Sequence, residues 1–137
     1  MVKQIIVSVF ILLFVSCEKE GDLTTGNNFN NTISNVAVLA SSGTFTATSG
    51  ISVTGEAKIY IGNNTKEIVL ENFTISDGPD LKVYLSKSST PDEFINLGGL
   101  TAATVYSIPQ QVDLSQYKYV LIHCQQYNHL FAIAELK

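Results

Sequence analysis

From Ser41 onward the apolar residues of this chain fall on every second position. Phe45 and Ala47 alternate with Thr44, Thr46 and Thr48, and Val53, Gly55, Ala57, Ile59 and Ile61 alternate with Ser52, Thr54, Glu56, Lys58 and Tyr60. A period of two turns successive side chains toward a dry face and a wet one, so these stretches predict half-buried strands. Gly62-Asn63-Asn64 predicts the turn after the second. In the next segment Ile68 and Leu70 are in phase, whereas Phe73 and Ile75 are one residue out. That slip predicts a β-bulge near Glu71-Asn72. Asp77-Gly78-Pro79-Asp80 predicts a tight turn, with Pro79 fixing φ and Gly78 accepting strained angles. Leu81, Val83 and Leu85 then face one way, and Lys82 and Tyr84 the other. Ser86 to Glu93 reads as a polar loop, Gly98-Gly99 as a second breaker, and Val105 to Ile108 as a short strand ended by Pro109. Asp113-Leu114-Ser115-Gln116 reads as a turn, and no segment sustains a period of 3.6. The pattern predicts an all-β fold, an antiparallel β-sandwich or flattened barrel of about seven or eight short strands.

The most apolar part of that pattern is a C-terminal hairpin. Its strands are expected at about Tyr119 to Gln125 and His129 to Leu136, with Gln126-Tyr127-Asn128 turning between them. Alternation places Val120, Ile122 and Cys124 on one face, and Tyr119, Leu121 and His123 on the other. On the second strand Leu130, Ala132, Ala134 and Leu136 oppose His129, Phe131, Ile133 and Glu135. Pairing Cys124 with Leu130 sets Ile122 against Ala132 and Val120 against Ala134, and makes one face wholly apolar.

The amino terminus has a different pattern. Lys3 precedes an apolar run from Ile5 to Val15 broken only by Ser8. A bilayer-spanning helix needs about 20 apolar residues, so this run has the length of a signal-peptide core instead. It ends in Phe14-Val15-Ser16-Cys17, followed by Glu18-Lys19-Glu20. These residues resemble a bacterial lipobox, with Phe14 where leucine is commoner; the alternative is an ordinary cleaved secretory signal. The lipobox reading makes residues 1–16 a leader and Cys17 the acylated mature terminus, anchored in the membrane by its acyl chains. Residues 17–40 then form a tether and 41–137 the domain. From Thr24 to Asn35 the tether is mostly Thr, Asn, Gly and Ser, too polar to offset its ordering entropy. As a random coil it reaches about 25 Å. Val36-Ala37-Val38-Leu39 reads equally as the end of this tether or as an early edge strand. The acidic residues after Cys17 resemble the export signal of surface lipoproteins in the Bacteroidetes group. The expected address is a bacterial envelope, lipid-anchored to the outer membrane, periplasmic or surface-exposed.

Composition narrows the partners. Removing the first 16 of 137 residues leaves 121, and Lys3 leaves with them, so eight cations become seven against twelve acids, a formal charge of −5. A mildly acidic chain without a basic patch has nothing to neutralise phosphates, which argues against nucleic acid. With Cys17 acylated, Cys124 has no second thiol in its own chain. An exported protein must then bury it, use it, or pair it with another chain.

A family resemblance emerges from motifs in order along the chain. They are Ser49-Gly50, Val53-Thr54-Gly55, Leu70-Glu71-Asn72-Phe73, and above all Asp77-Gly78-Pro79-Asp80-Leu81-Lys82-Val83-Tyr84-Leu85. Leu97-Gly98-Gly99-Leu100, Tyr106-Ser107-Ile108-Pro109 and Asp113 to Tyr117 continue it, and Val120 to Cys124 with Leu130 to Leu136 complete it. From about Gly43 to Leu136 the chain resembles the DM-thirteen domain, an extracellular module often labelled an electron-transfer domain and found beside DOMON domains in larger proteins. The resemblance implies a β-sandwich and a redox role centred on the cysteine that matches Cys124. No DOMON or cytochrome partner accompanies the module in this chain.

Each candidate group has a bland reading beside the sharp one. A reactive thiol needs its thiolate favoured by a cation, a helix N-terminus or a metal, and some exposure. Alternation instead sets Cys124 among Val120, Ile122 and Leu130, the surroundings of an inert buried thiol. His123 and His129 share the second face and could meet across the hairpin, but a metal site needs a third ligand; no cofactor is identified. Asp77 and Asp80 could be paired carboxylates for acid–base work, and flanking Gly78-Pro79 they read better as turn-capping groups. Asp92-Glu93 reads as solvated. No nucleophile elbow or phosphate-cradling glycine motif is present, so no enzyme activity is expected. Three functions remain: a redox module using Cys124 with an envelope partner, a non-catalytic binding or adhesion module using loops such as Ser86 to Glu93, and a metal carrier using the two histidines.

Overall fold

The computed structural model describes residues 37–137. The expected leader, Cys17 and the tether as far as Val36 lie outside the described residues. Eight strands follow in order: β1 (Val38–Ala47), β2 (Val53–Ile61), β3 (Lys66–Ile75), β4 (Leu81–Ser86), β5 (Phe94–Gly99), β6 (Val105–Ser107), β7 (Tyr119–Cys124) and β8 (His129–Glu135). They form one antiparallel ladder in the order β5-β4-β7-β8-β1-β2-β3-β6. The all-β expectation, with its seven or eight short strands, is met.

The ladder curls because β1 changes partner partway along. Val38 to Thr44 pair with β2, and Phe45 to Ala47 pair with β8. Backbone bonds between Ser42 and Lys137 in both directions extend the second contact. Val38 and Leu39, left open between tether and strand, are the first residues of β1. The free edges of β5 and β6 come together through Tyr106, whose hydroxyl donates to the Gly99 carbonyl at 3.3 Å and accepts from the Thr101 amide at 3.2 Å. The result is a nearly closed, flattened barrel.

Its interior is filled by the faces the alternation selects. Ala57, Ile59, Ile68 and Leu70 meet Val83, Leu85, Val120, Ile122 and Cys124, all at 2% exposure or less. Each buried Val, Leu or Ile contributes about 1.5–3 kcal/mol relative to an exposed position. The expected bulge is present: Glu56 pairs with Glu71 but Thr54 with Thr74, so β3 carries one extra residue. Asn72 takes φ 50° there, and Gly55 opposite takes φ 108°. A Cβ at Gly55 would stand 2.6 Å from the Glu71 carbonyl oxygen, so the bulge closes only over a glycine.

Strand β5 has no counterpart in the sequence pattern. Asn96, Gly98 and Gly99 break its alternation, and none of its residues is fully buried. It forms because β4 offers an open edge, and a register shift between Lys82 and Tyr84 accommodates the glycine pair.

Candidate functional site

Strand β7 lies between β4 and β8, and Val120 to Cys124 are all buried. Val120, Ile122 and Cys124 join the core cluster, as alternation requires, and Cys124 has no exposed surface. The described thiol is free.

The hairpin register is correct at one end and wrong at the other. Val120 pairs with Ala134 and Ile122 with Ala132, as expected. Beyond them the ladder shifts, so His123 pairs with Leu130 and Cys124 with His129, not Leu130. Phe131 is the extra residue. One inserted residue reverses the facing of everything beyond it. Phe131 therefore enters the core at 7% exposure, while Leu130 stays half-buried outside the cluster. The shift also separates the two histidines. His129 falls on the Cys124 side of the ladder, exposed, with its ring edge-on to Phe131 at 5.3 Å. His123 falls on the opposite side with Leu130, so the expected meeting of the two across one face does not occur. Among the described residues no three His, Cys, Asp or Glu side chains stand close enough to hold a metal ion.

His123 has surroundings that the sequence does not reveal. It is 5% exposed, and its Nε2 lies 3.2 Å from Asn128 Oδ1. An amide oxygen only accepts, so Nε2 is the donor in this bond. The ring's Nδ1 is buried and has no hydrogen-bond partner. Asn128 holds the turn in the left-handed region at φ 48°, a conformation asparagine tolerates better than most residues. The imidazole stacks on Tyr84, with centroids 5.4 Å apart and planes at 28°. Tyr84 stacks in turn on Phe94, at 4.0 Å and 13°. Burial pushes the Tyr84 hydroxyl pKa up, with the nearby Lys82 cation opposing and the Asp80 carboxylate adding to the shift. Parity alone puts Lys82 and Tyr84 on one face of β4 and His123 on one face of β7. Only the pairing of β4 with β7, with Lys82 opposite His123 and Tyr84 opposite Leu121, brings the rings together.

The Asp77-Gly78-Pro79-Asp80 loop is tied to the same end of β7. The Asp80 carbonyl accepts from the Gln125 amide at 2.9 Å, and the Asp80 carboxylate pairs with Lys82 at 3.0 Å. Asp77 is exposed, and no hydrogen bond among the described residues makes either carboxylate a turn cap. Gly78 does not occupy a left-handed conformation. It is favoured by contact instead: a Cβ there would stand 2.7 Å from Leu81 Cδ2 and 3.0 Å from Phe131 Cε2, so those side chains would have to shift. The loop thus packs over the bulge residue that covers the thiol end of the core.

A model of the family described as electron transfer DM13 matches residues 44–136, which spans every strand from the middle of β1 to the end of β8. No curated protein matches the chain, and no solved structure does.

Proposed function

The chain belongs to the electron-transfer DM-thirteen family, and from that premise we propose that it is a lipid-anchored module of a bacterial envelope that carries electrons through Cys124. The observation that carries the reading is a lone thiol with no exposed surface inside the matched domain. Thiol–disulfide exchange and adduct formation require an attacking or attacked sulfur that a partner can reach. Electron exchange does not need that contact. Cys124 in the core is therefore suited to pass single electrons to a partner held at the surface, and unsuited to form mixed disulfides. The anchor rests on the lipobox-like Phe14-Val15-Ser16-Cys17, with acyl chains on Cys17 keeping the module at the outer membrane.

The test compares wild type with Cys124→Ser under a soluble one-electron oxidant. Wild type should reduce the oxidant while losing its thiol, and Cys124→Ser, folded alike, should not. Equal oxidant consumption by the two proteins would remove Cys124 from the function. Anchoring is tested apart, by whether Cys17→Ser moves the protein from the membrane to the soluble fraction of the producing cells.

The same burial favours a second reading, a binding module in which Cys124 is structural. A groove of about 650 Å³ runs over β1, β7 and β8, lined by Thr44, Thr46, Tyr119, Ile133 and Glu135, with Ser89 from the Ser86–Glu93 loop. Ligand binding indifferent to Cys124→Ser but lost on substitution of Thr46 or Tyr119 would select it.

A further inference from the structure

The outward side of β4 and β7 carries a layer of rings outside the core cluster. Phe94 is 38% exposed, Tyr84 beneath it is 2% exposed, and His123 is 5% exposed. The three rings are stacked in that order, from the exposed Phe94 through two buried rings, with centroid steps of 4.0 and 5.4 Å. The last ring of the stack belongs to the residue next to Cys124 in the chain, whose side chain points to the opposite side of the same strand. From imidazole to sulfur the path is one peptide unit and two Cβ atoms. The unpartnered Nδ1 of His123 is costly to bury.

We propose that Phe94, Tyr84 and His123 form an electron path from the surface to Cys124, with Tyr84 as its oxidisable member. This rests on the redox reading of Cys124 and adds the route that a buried thiol requires. The partner is a one-electron oxidant, such as a metal complex, that meets the sheet at Phe94. Tyr84 gives it one electron and releases its hydroxyl proton to water, leaving a tyrosyl radical. Cys124 then returns an electron to Tyr84, which regains a proton from water. The thiol proton is lost as the electron leaves and ends in water. In sum the thiol becomes a thiyl radical, the oxidant gains one electron, and one proton reaches water. A one-electron donor at Phe94 reverses the sequence.

The experiment mixes the full-length protein with hexachloroiridate(IV), freezes samples rapidly for electron paramagnetic resonance, and titrates the remaining thiol. Wild type should show a transient tyrosyl radical that decays as the thiol disappears. Tyr84→Phe should lose that radical and slow thiol loss by about an order of magnitude or more, as removal of an intermediate carrier raises the barrier. Phe94→Leu, altered at the exposed end and safe for folding, should slow both steps, and Tyr127→Phe, a change in the exposed turn, should slow neither. Thiol loss at the wild-type rate in Tyr84→Phe and Phe94→Leu would overturn the path while leaving Cys124 as the electron carrier. A wild-type thiol untouched by the oxidant would overturn the carrier and the path together.

Discussion

Asp113 illustrates what a single side chain contributes to this fold. Its carboxylate accepts from the Ser115 amide at 3.0 Å and from Gln116 Nε2 at 3.3 Å, and so fixes the turn that leads into β7. Hydrogen bonds from the Ser115 side chain and backbone hold its pKa below the usual carboxylate value, with the Lys66 cation contributing. A folded-state pKa below the unfolded one stabilises the protein above the unfolded value, about 4, and that stabilisation is lost as pH falls through the folded value. Urea midpoints at pH 7 and pH 3 should therefore differ less for Asp113→Asn than for wild type. An unchanged difference would mean the carboxylate contributes nothing to acid sensitivity. This turn is legible in the sequence because its partners lie within three residues. The surroundings of His123 are not, since Tyr84 and Phe94 are some 30 to 40 positions away and any strand could have supplied the neighbour.

Among the elements, β8 is the most informative. Simple alternation makes Leu130 a core residue and Phe131 an outward one; the extra residue in the ladder exchanges them. Truncation distinguishes the two arrangements directly. Phe131→Ala should cost about 3–5 kcal/mol, the usual loss for a buried aromatic ring. Leu130→Ala, half-buried and outside the core cluster, should cost about 1 kcal/mol. Chemical denaturation of the two variants provides the measurement, and the reverse order would remove the bulge. The bulge in β3 was legible where this one was not. In β3 the apolar residues themselves slip phase between Leu70 and Phe73, whereas β8 is apolar on both sides of its insertion and leaves no phase to read.

At the scale of the whole molecule, the nearly closed ladder makes access to Cys124 a matter of unfolding. β7 is flanked by paired strands on both sides, and the Asp80–Gln125 bond secures its end. Alkylation of the native thiol should run slower than in denatured protein by a factor of about 10⁴ or more, given typical domain stabilities. The logarithm of its rate should rise with urea at the slope of global unfolding. Rapid labelling indifferent to urea would show that the hairpin tip opens on its own and that a partner can reach the sulfur.

The sequence by itself determined the fold class, most of the strands, the β3 bulge and the burial of Cys124, because the choice between dry and wet face is written locally, one residue against the next. The tertiary structure decided that His129 rather than Leu130 stands opposite the thiol, that the two histidines part, and that three rings stack outside β4 and β7. Those outcomes depend on which strands become neighbours and in what register. Closing one long loop costs nearly the same as closing another, so the selection is made only when all the faces are packed together.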